Sequence, residues 1–145
     1  MDSRSSPYAS LKSTYVIKLP TTEKTINVPL DHQNEYYEDN RNPKVWGPHF
    51  WFILHNGALN YPSLANPLCI ERMKNFIIGI PIMIPCETCK EHATSYIEQN
   101  KDYLDYICSS RDKLFKFFVD FHNYVNIRQK KQEMSYDDAY KLYDK

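Results

Sequence analysis

Two cysteines three residues apart carry the most pointed chemistry in this sequence. Cys86 and Cys89 stand in Ile84-Pro85-Cys86-Glu87-Thr88-Cys89, directly after a proline and at the start of a segment with helical periodicity. A Cys-x-x-Cys there brings two sulfurs within bonding reach, and the free N–H groups and positive dipole end of the helix favour thiolate. Thiolate is the attacking species in disulfide exchange. The same spacing is also half of a structural zinc site, and spacing alone divides the two readings about evenly. Cys86, Cys89, His92 and the distant Cys108 make a candidate zinc set. No second Cys-x-x-Cys completes it, which tips the balance towards redox.

A thioredoxin-like setting needs a strand before the pair, whereas helical periodicity lies on both sides of this one. A dithiol on a helical scaffold must pass its electrons elsewhere, so a cofactor site is the next thing to seek. Trp51 and His55 share a helix face, and His122, Asn123 and Asn126 cluster near the end of another helix. Each alone has a plainer reading. A buried Trp is usually core, a helix-end Asn usually a cap, and a His on an apolar face is more often satisfied than functional. There is no Gly-x-Gly-x-x-Gly and no phosphate loop, so a nucleotide would have to be held differently. Arg128, Lys130 and Lys131 are suited to meet phosphates, or form a solvated helix end.

These residues need helices to position them. Pro48 suits a first helical turn, and Trp51, Leu54, His55 and Ala58 follow at i, i+3, i+4, i+7 until Tyr61-Pro62 ends the run. A second helix presents Met73, Phe76, Ile77 and Ile80, with Pro81 and Pro85 kinking and stopping it. The third starts at Cys86 and lines up Cys86, Cys89, His92, Ala93 and Tyr96. A fourth opens near Ser109, with Asp112 three residues on, and shows Leu114, Phe117, Phe118, Phe121, His122 and Val125. Ser135 with Asp138 heads a short fifth helix carrying Ala139 and Leu142. The pattern predicts an all-α chain, a four-helix bundle with a short fifth helix over residues 44–145. Residues 1–43 are polar and read as an extended arm, with segments 14–19 and 25–30 suited to a hairpin.

The totals narrow the function. Lys plus Arg and Asp plus Glu both number 18 in 145 residues, so bulk charge gives no pull towards nucleic acid. The longest apolar stretch, residues 76–84, falls far short of the ~20 residues that span a bilayer, and no secretory signal is visible. A soluble protein is expected. Three glycines against 12 tyrosines and 7 phenylalanines favour helices packed through aromatic rings. Four cysteines, at 69, 86, 89 and 108, are too few for a disulfide scaffold.

Read in order, the motifs have a match. Trp46-Gly47-Pro48-His49-Phe50-Trp51, Leu54-His55, Tyr61-Pro62, Pro85-Cys86-x-x-Cys89 and His122-Asn123-x-Val125-Asn126 together resemble the Erv/ALR family of FAD-linked sulfhydryl oxidases, over about residues 44–143. The resemblance implies a bundle around the flavin ring, usually in a homodimer. It implies Cys89 as the sulfur nearer the flavin and Cys86 as the one that meets the incoming thiol. Trp46, Trp51, His55, His122, Asn123, Val125, Asn126 and Lys131 would contact FAD, with His92 and Tyr96 facing it. Electrons from a protein thiol would pass to O₂ and yield H₂O₂.

The departures inform too. The family's Gly-Arg before Trp51 is Gly47-Pro48 here, and its structural disulfide would join the positions of Val119 and Tyr136. That pattern looks like the short oxidases encoded by large cytoplasmic DNA viruses, which would put the protein in host cytoplasm or virion. Residues 1–68 and those after Cys108 hold no cysteine, so no tail of this sequence can shuttle electrons. A small dithiol relay protein is therefore the expected partner. Two rivals remain: a zinc-stabilised helical interaction module, and an inactive dimeric scaffold.

Overall fold

A short polar or sulfur side chain holds the first free N–H groups at nearly every helix start. The computed structural model describes residues 41–145, so the expected arm and its hairpin lie outside the described residues except for 41–43. Helix α1 (Pro43–Leu59) follows Asn42, whose Oδ1 accepts from Lys44 N at 3.0 Å. Helix α2 (Pro67–Gly79) follows Asn66, which accepts from Cys69 N at 2.8 Å. A 3₁₀ turn (Ile80–Met83) leads to α3 (Glu87–Gln99), and another (Lys101–Tyr103) to the one-turn α4 (Leu104–Ile107). Ser110 caps α5 (Arg111–Arg128) and Ser135 caps α6 (Tyr136–Tyr143). Asn and Ser are among the best residues for this task, and proline suits the first helical position because its missing N–H has no partner there anyway.

These starts correct several expectations. Helix α1 begins at Pro43, which leaves Pro48 inside it. Asn42-Pro43 is the stronger start signal, and a proline so near the beginning removes only one early hydrogen bond. Helix α5 starts one residue later than expected. Ser110 accepts from Lys113 N, while the Ser109 carbonyl accepts from Ala65 N at 3.0 Å. In α2, Ile77 and the following Ile80 are buried, but Phe76 is exposed. The turns between α3 and α5 carried no periodicity and were not foreseen.

The core runs along the α1–α5 contact, with α2 and α3 closing the bundle. Leu54, Ile77, Ile97, Leu104, Leu114, Phe118 and Phe121 are almost wholly enclosed. Each such side chain contributes roughly 1.5–3 kcal/mol by leaving water. Helix α6 lies over α1 and α5 and seats Ala139 completely. Among the described residues there is no strand, and no helix is long and apolar enough to cross a membrane.

The reversal after α5 matters for the site. Lys130 takes a left-handed conformation (φ 55°), which lets Lys131 N reach the Asn126 carbonyl at 2.8 Å and Lys130 N the Ile127 carbonyl at 3.1 Å. This is the usual way to close a helix end, though with lysine where glycine would be easiest. Asn123 then clamps the returning chain. Its amide donates to the Met134 carbonyl and accepts from Met134 N, both at 2.8 Å. Where the family resemblance puts a disulfide between positions 119 and 136, the Tyr136 hydroxyl donates to Asp120 at 2.8 Å. Hydrogen bonds tie α6 to α5 here.

Candidate active site

Cys86 and Cys89 form a disulfide. Pro85 and an extended Cys86 stop the preceding turn, which makes Cys86 the residue that caps α3, its Sγ accepting from Cys89 N at 3.3 Å. Each cysteine is half-buried, and Cys89 packs against the core while Cys86 stays outside it. The first turn of α3 therefore offers an exchangeable disulfide whose outer sulfur sits on free helix N–H groups.

Across from it, α1 and α5 build an aromatic wall. Trp51 stacks on His122 with centroids 4.1 Å apart and planes 6° apart, and meets Phe121 edge-on at 5.2 Å. His55 lies behind this pair, fully buried, with its Nε2 3.0 Å from His122 Nδ1. The rings of Tyr143 and Phe115 close over His55 at 4.3 and 5.9 Å. Burial, with His122 adding to it, lowers the His55 pKa to about 3. Burial, with Lys131 adding to it, lowers that of His122 to about 4. Both rings are neutral at pH 7.

Between wall and disulfide lies a cleft of about 1000 Å³. Lys44, Arg128 and Lys131 line it, and among the described residues no carboxylate does. An aromatic surface, three cations and no opposing acid suit a large, flat, anionic ligand. A dinucleotide with a ring system and a pyrophosphate fits that description, and so does FAD.

The structure brings most of the residues singled out in the sequence onto this one cleft. Cys86, Cys89 and His92 line it from α3, Trp46 and Trp51 from α1, and His122, Val125 and Asn126 from α5, with Lys131 just beyond. Three lie elsewhere. His55 is sealed behind His122, and Asn123 is engaged with Met134. Tyr96 stacks on Phe121 at 4.9 Å in the aromatic core, where burial raises its hydroxyl pKa. The zinc set does not assemble. Cys108 is fully buried in the core, and among the described residues no three His, Cys, Asp or Glu side chains converge on a metal position.

Sequence reasoning missed Lys44, Pro48, Phe50 and Thr88 as lining residues, and missed what α6 brings, Leu142 and Tyr143. A signal existed for Lys44 in the Asn42-Pro43 helix start, which moves that residue to the cleft rim. Tyr143 carried none.

A family model described as Erv1 / Alr family matches residues 48–144. The chain is 40% identical over 101 residues to a putative FAD-linked sulfhydryl oxidase of Invertebrate iridescent virus 3, covering 70% of this chain and 67% of that protein. It is 40% identical over 90 residues to a putative FAD-linked sulfhydryl oxidase of Invertebrate iridescent virus 6, covering 59% and 80%. Among solved structures, a cysteine-to-serine double mutant of Erv1 from Saccharomyces cerevisiae superposes with a TM-score of 0.64 at 24% identity. That match covers 70% of this chain and 83% of the other.

Proposed function

This chain belongs to the Erv1 / Alr family and is an FAD-linked sulfhydryl oxidase, and we propose that Cys86 and Cys89 are its redox pair and the adjoining cleft its flavin site. One observation carries the assignment: the disulfide opens on the same cleft as the Trp51–His122 stack and the three cations. Trp51 and His122 supply an aromatic wall for the ring systems, and Lys44, Arg128 and Lys131 supply charge for the pyrophosphate.

A substrate thiolate attacks Cys86 Sγ, forms a mixed disulfide and displaces Cys89 as thiolate. A second substrate thiol attacks that mixed disulfide, leaves as the oxidised product and returns Cys86 to the thiolate, where the α3 N-terminus stabilises it. FAD held by Trp51, His122, Lys44, Arg128 and Lys131 would supply the two-electron acceptor that lets the Cys86–Cys89 dithiol close to the disulfide again, with O₂ as the final acceptor and H₂O₂ as the product. The protein's part is to hold Cys89 on the core side of the pair and Cys86 on the open side. Purified protein is expected to be yellow, to release about one FAD per chain on heating, and to consume O₂ when given a small dithiol. Colourless protein that stays inert with added FAD rules the assignment out.

The partners follow from the same geometry. A half-buried disulfide favours a small dithiol relay protein over a bulky folded substrate, and a Cys89→Ser variant is expected to trap that relay on Cys86. Rapid oxidation of a large unfolded protein by the enzyme alone argues against a relay. Phe52 and Ile53 are exposed on the outer side of α1, which suits a homodimer. A monomer in sedimentation at micromolar concentration excludes it.

A further inference from the structure

His55 is the one residue of the expected cofactor set that is completely enclosed, and its Nδ1 is the sole buried side-chain nitrogen or oxygen among the described residues with no hydrogen-bond partner. Its other nitrogen lies 3.0 Å from His122 Nδ1. Two neutral imidazoles joined by one N···N contact share one proton, and there are two ways to place it. In one, His55 Nε2–H donates to a bare His122 Nδ1. His55 then buries only a lone pair, and His122 carries its proton on Nε2. In the other, His122 Nδ1–H donates to His55, and the remaining proton of His55 sits on buried Nδ1. No hydrogen-bond acceptor among the described residues lies there, only rings such as that of Tyr143, 4.3 Å away between centroids. A buried N–H without an acceptor is the rarer and costlier orphan, and a ring face is a weak substitute. The first arrangement wins.

We propose that His55 is a positioning residue that fixes His122 in its Nε2–H form, so that the cleft presents one permanent hydrogen-bond donor beside the Trp51 stack. His122 Nε2 has no partner among the described residues and is not sealed from the cleft. Stacked flat on Trp51 and tethered at Nδ1, the ring cannot turn over to offer an acceptor instead. The bound group must therefore bring an acceptor atom to this point, which FAD has on its ring nitrogens and carbonyls, its ribityl and ribose oxygens and its phosphates. His55 acts through His122 and touches no ligand itself. Low pKa values keep both rings neutral, which the arrangement requires. The inference rests on the cleft being the flavin site.

Ring ¹⁵N spectra of the labelled full-length chain at pH 7, with and without FAD, test it directly. His55 and His122 are both expected to show protonated Nε2 and bare Nδ1 before and after FAD binds. His55→Phe is expected to let His122 populate both forms and to weaken FAD binding about tenfold, the scale of one hydrogen bond. His55→Gln keeps an amide N–H donor and is expected to restore both the His122 spectrum and most of the affinity. A wild-type His122 protonated on Nδ1, or charged, overturns the proposal even if no variant folds. So does a His55→Phe protein with mixed forms that binds FAD as tightly as wild type. A wild-type chain that binds no FAD defeats the flavin reading and this role with it, and is told apart from the other failures by FAD titration alone.

Discussion

Cys69 and Cys89 occupy the same place in two helices. Each is the third residue of its helix, and each donates its backbone N–H to the side chain of the capping residue three positions before it. In α2 that cap is Asn66 and in α3 it is Cys86, and the substitution changes the chemistry of the whole turn. Cys86 and Cys89 bond to each other and open on a cationic, aromatic cleft. Cys69 stays a free thiol, and the other free cysteine, Cys108, is sealed in the core, its thiol pushed up to about 12 by burial. A helix N-terminus is therefore not enough to place a disulfide on the cleft, and a second sulfur at the cap is also required.

The largest effect comes from making the two turns alike. Cys86→Asn gives α3 the cap that α2 already has, so the fold is expected to survive within roughly 1 kcal/mol, while thiol-dependent O₂ uptake falls to background. Cys86→Ser and Cys89→Ser are expected to be equally inactive but spectrally unequal. Only the Cys86 variant leaves Cys89 as a lone thiolate on the core side, so only it is expected to give FAD-loaded protein a long-wavelength absorption band. The band appearing in Cys89→Ser instead would reverse the inner and outer sulfurs.

Much of this contrast was legible in the sequence, because Cys-x-x-Cys after a proline, and Trp, His and Asn at helical spacing, are local patterns that periodicity reveals. The four long helices followed from the same source. What was not legible depends on tertiary packing. Nothing local says that Asn123 turns to Met134 and leaves the cleft, or that Tyr96 stacks inward on Phe121. Placing His55 behind His122 needs the α1–α5 crossing, which brings together residues 67 apart in the chain. The α5 start shifted by a residue because Ser109 and Ser110 are chemically alike, and only the contact of Ser109 with Ala65 separates them.

A smaller effect separates the two regions by pH. His55 and His122 titrate near 3 and 4 in the folded chain, against about 6.5 when unfolded. A depressed pKa means the folded state refuses protons that the unfolded chain accepts, so the stability is whole above about pH 6.5 and drains away as pH falls towards 4 and 3. Each refused proton costs about 1.4 kcal/mol per pH unit within that window. Melting temperature is expected to be flat from pH 8 to 7 and to fall steeply from 6.5 to 5, above the range where carboxylates contribute. FAD is expected to raise the curve without moving the pH at which it bends. Both histidines stand at the cleft wall, His122 on it and His55 behind it, and the Cys69–Cys108 end contains none. A variant with both His55 and His122 replaced by phenylalanine is thus expected to lose the acid slope, and an unchanged slope would mean that other groups set it.

The smallest effect is expected where cysteine chemistry is absent. Cys108 is wholly enclosed, and its carbonyl accepts the Tyr61 hydroxyl at 2.7 Å, so its role is to fill the core and anchor that bond through the main chain. Alanine keeps the carbonyl and gives up only the sulfur, a loss of about 1 kcal/mol. Cys69 lies half-buried, with Asn66 holding its backbone, and alanine leaves that cap intact. The Cys69→Ala/Cys108→Ala protein is therefore expected to melt slightly earlier and to oxidise a small dithiol at a rate within roughly twofold of wild type, since neither sulfur lines the cleft. Protein substrates supply the sharper half of the experiment. If the double variant keeps its rate with the small dithiol but loses it with a protein thiol, the free cysteines carry electrons inward, and the two regions form one relay. Equal rates with both substrates leave Cys86 and Cys89 as the only sulfurs that turn over.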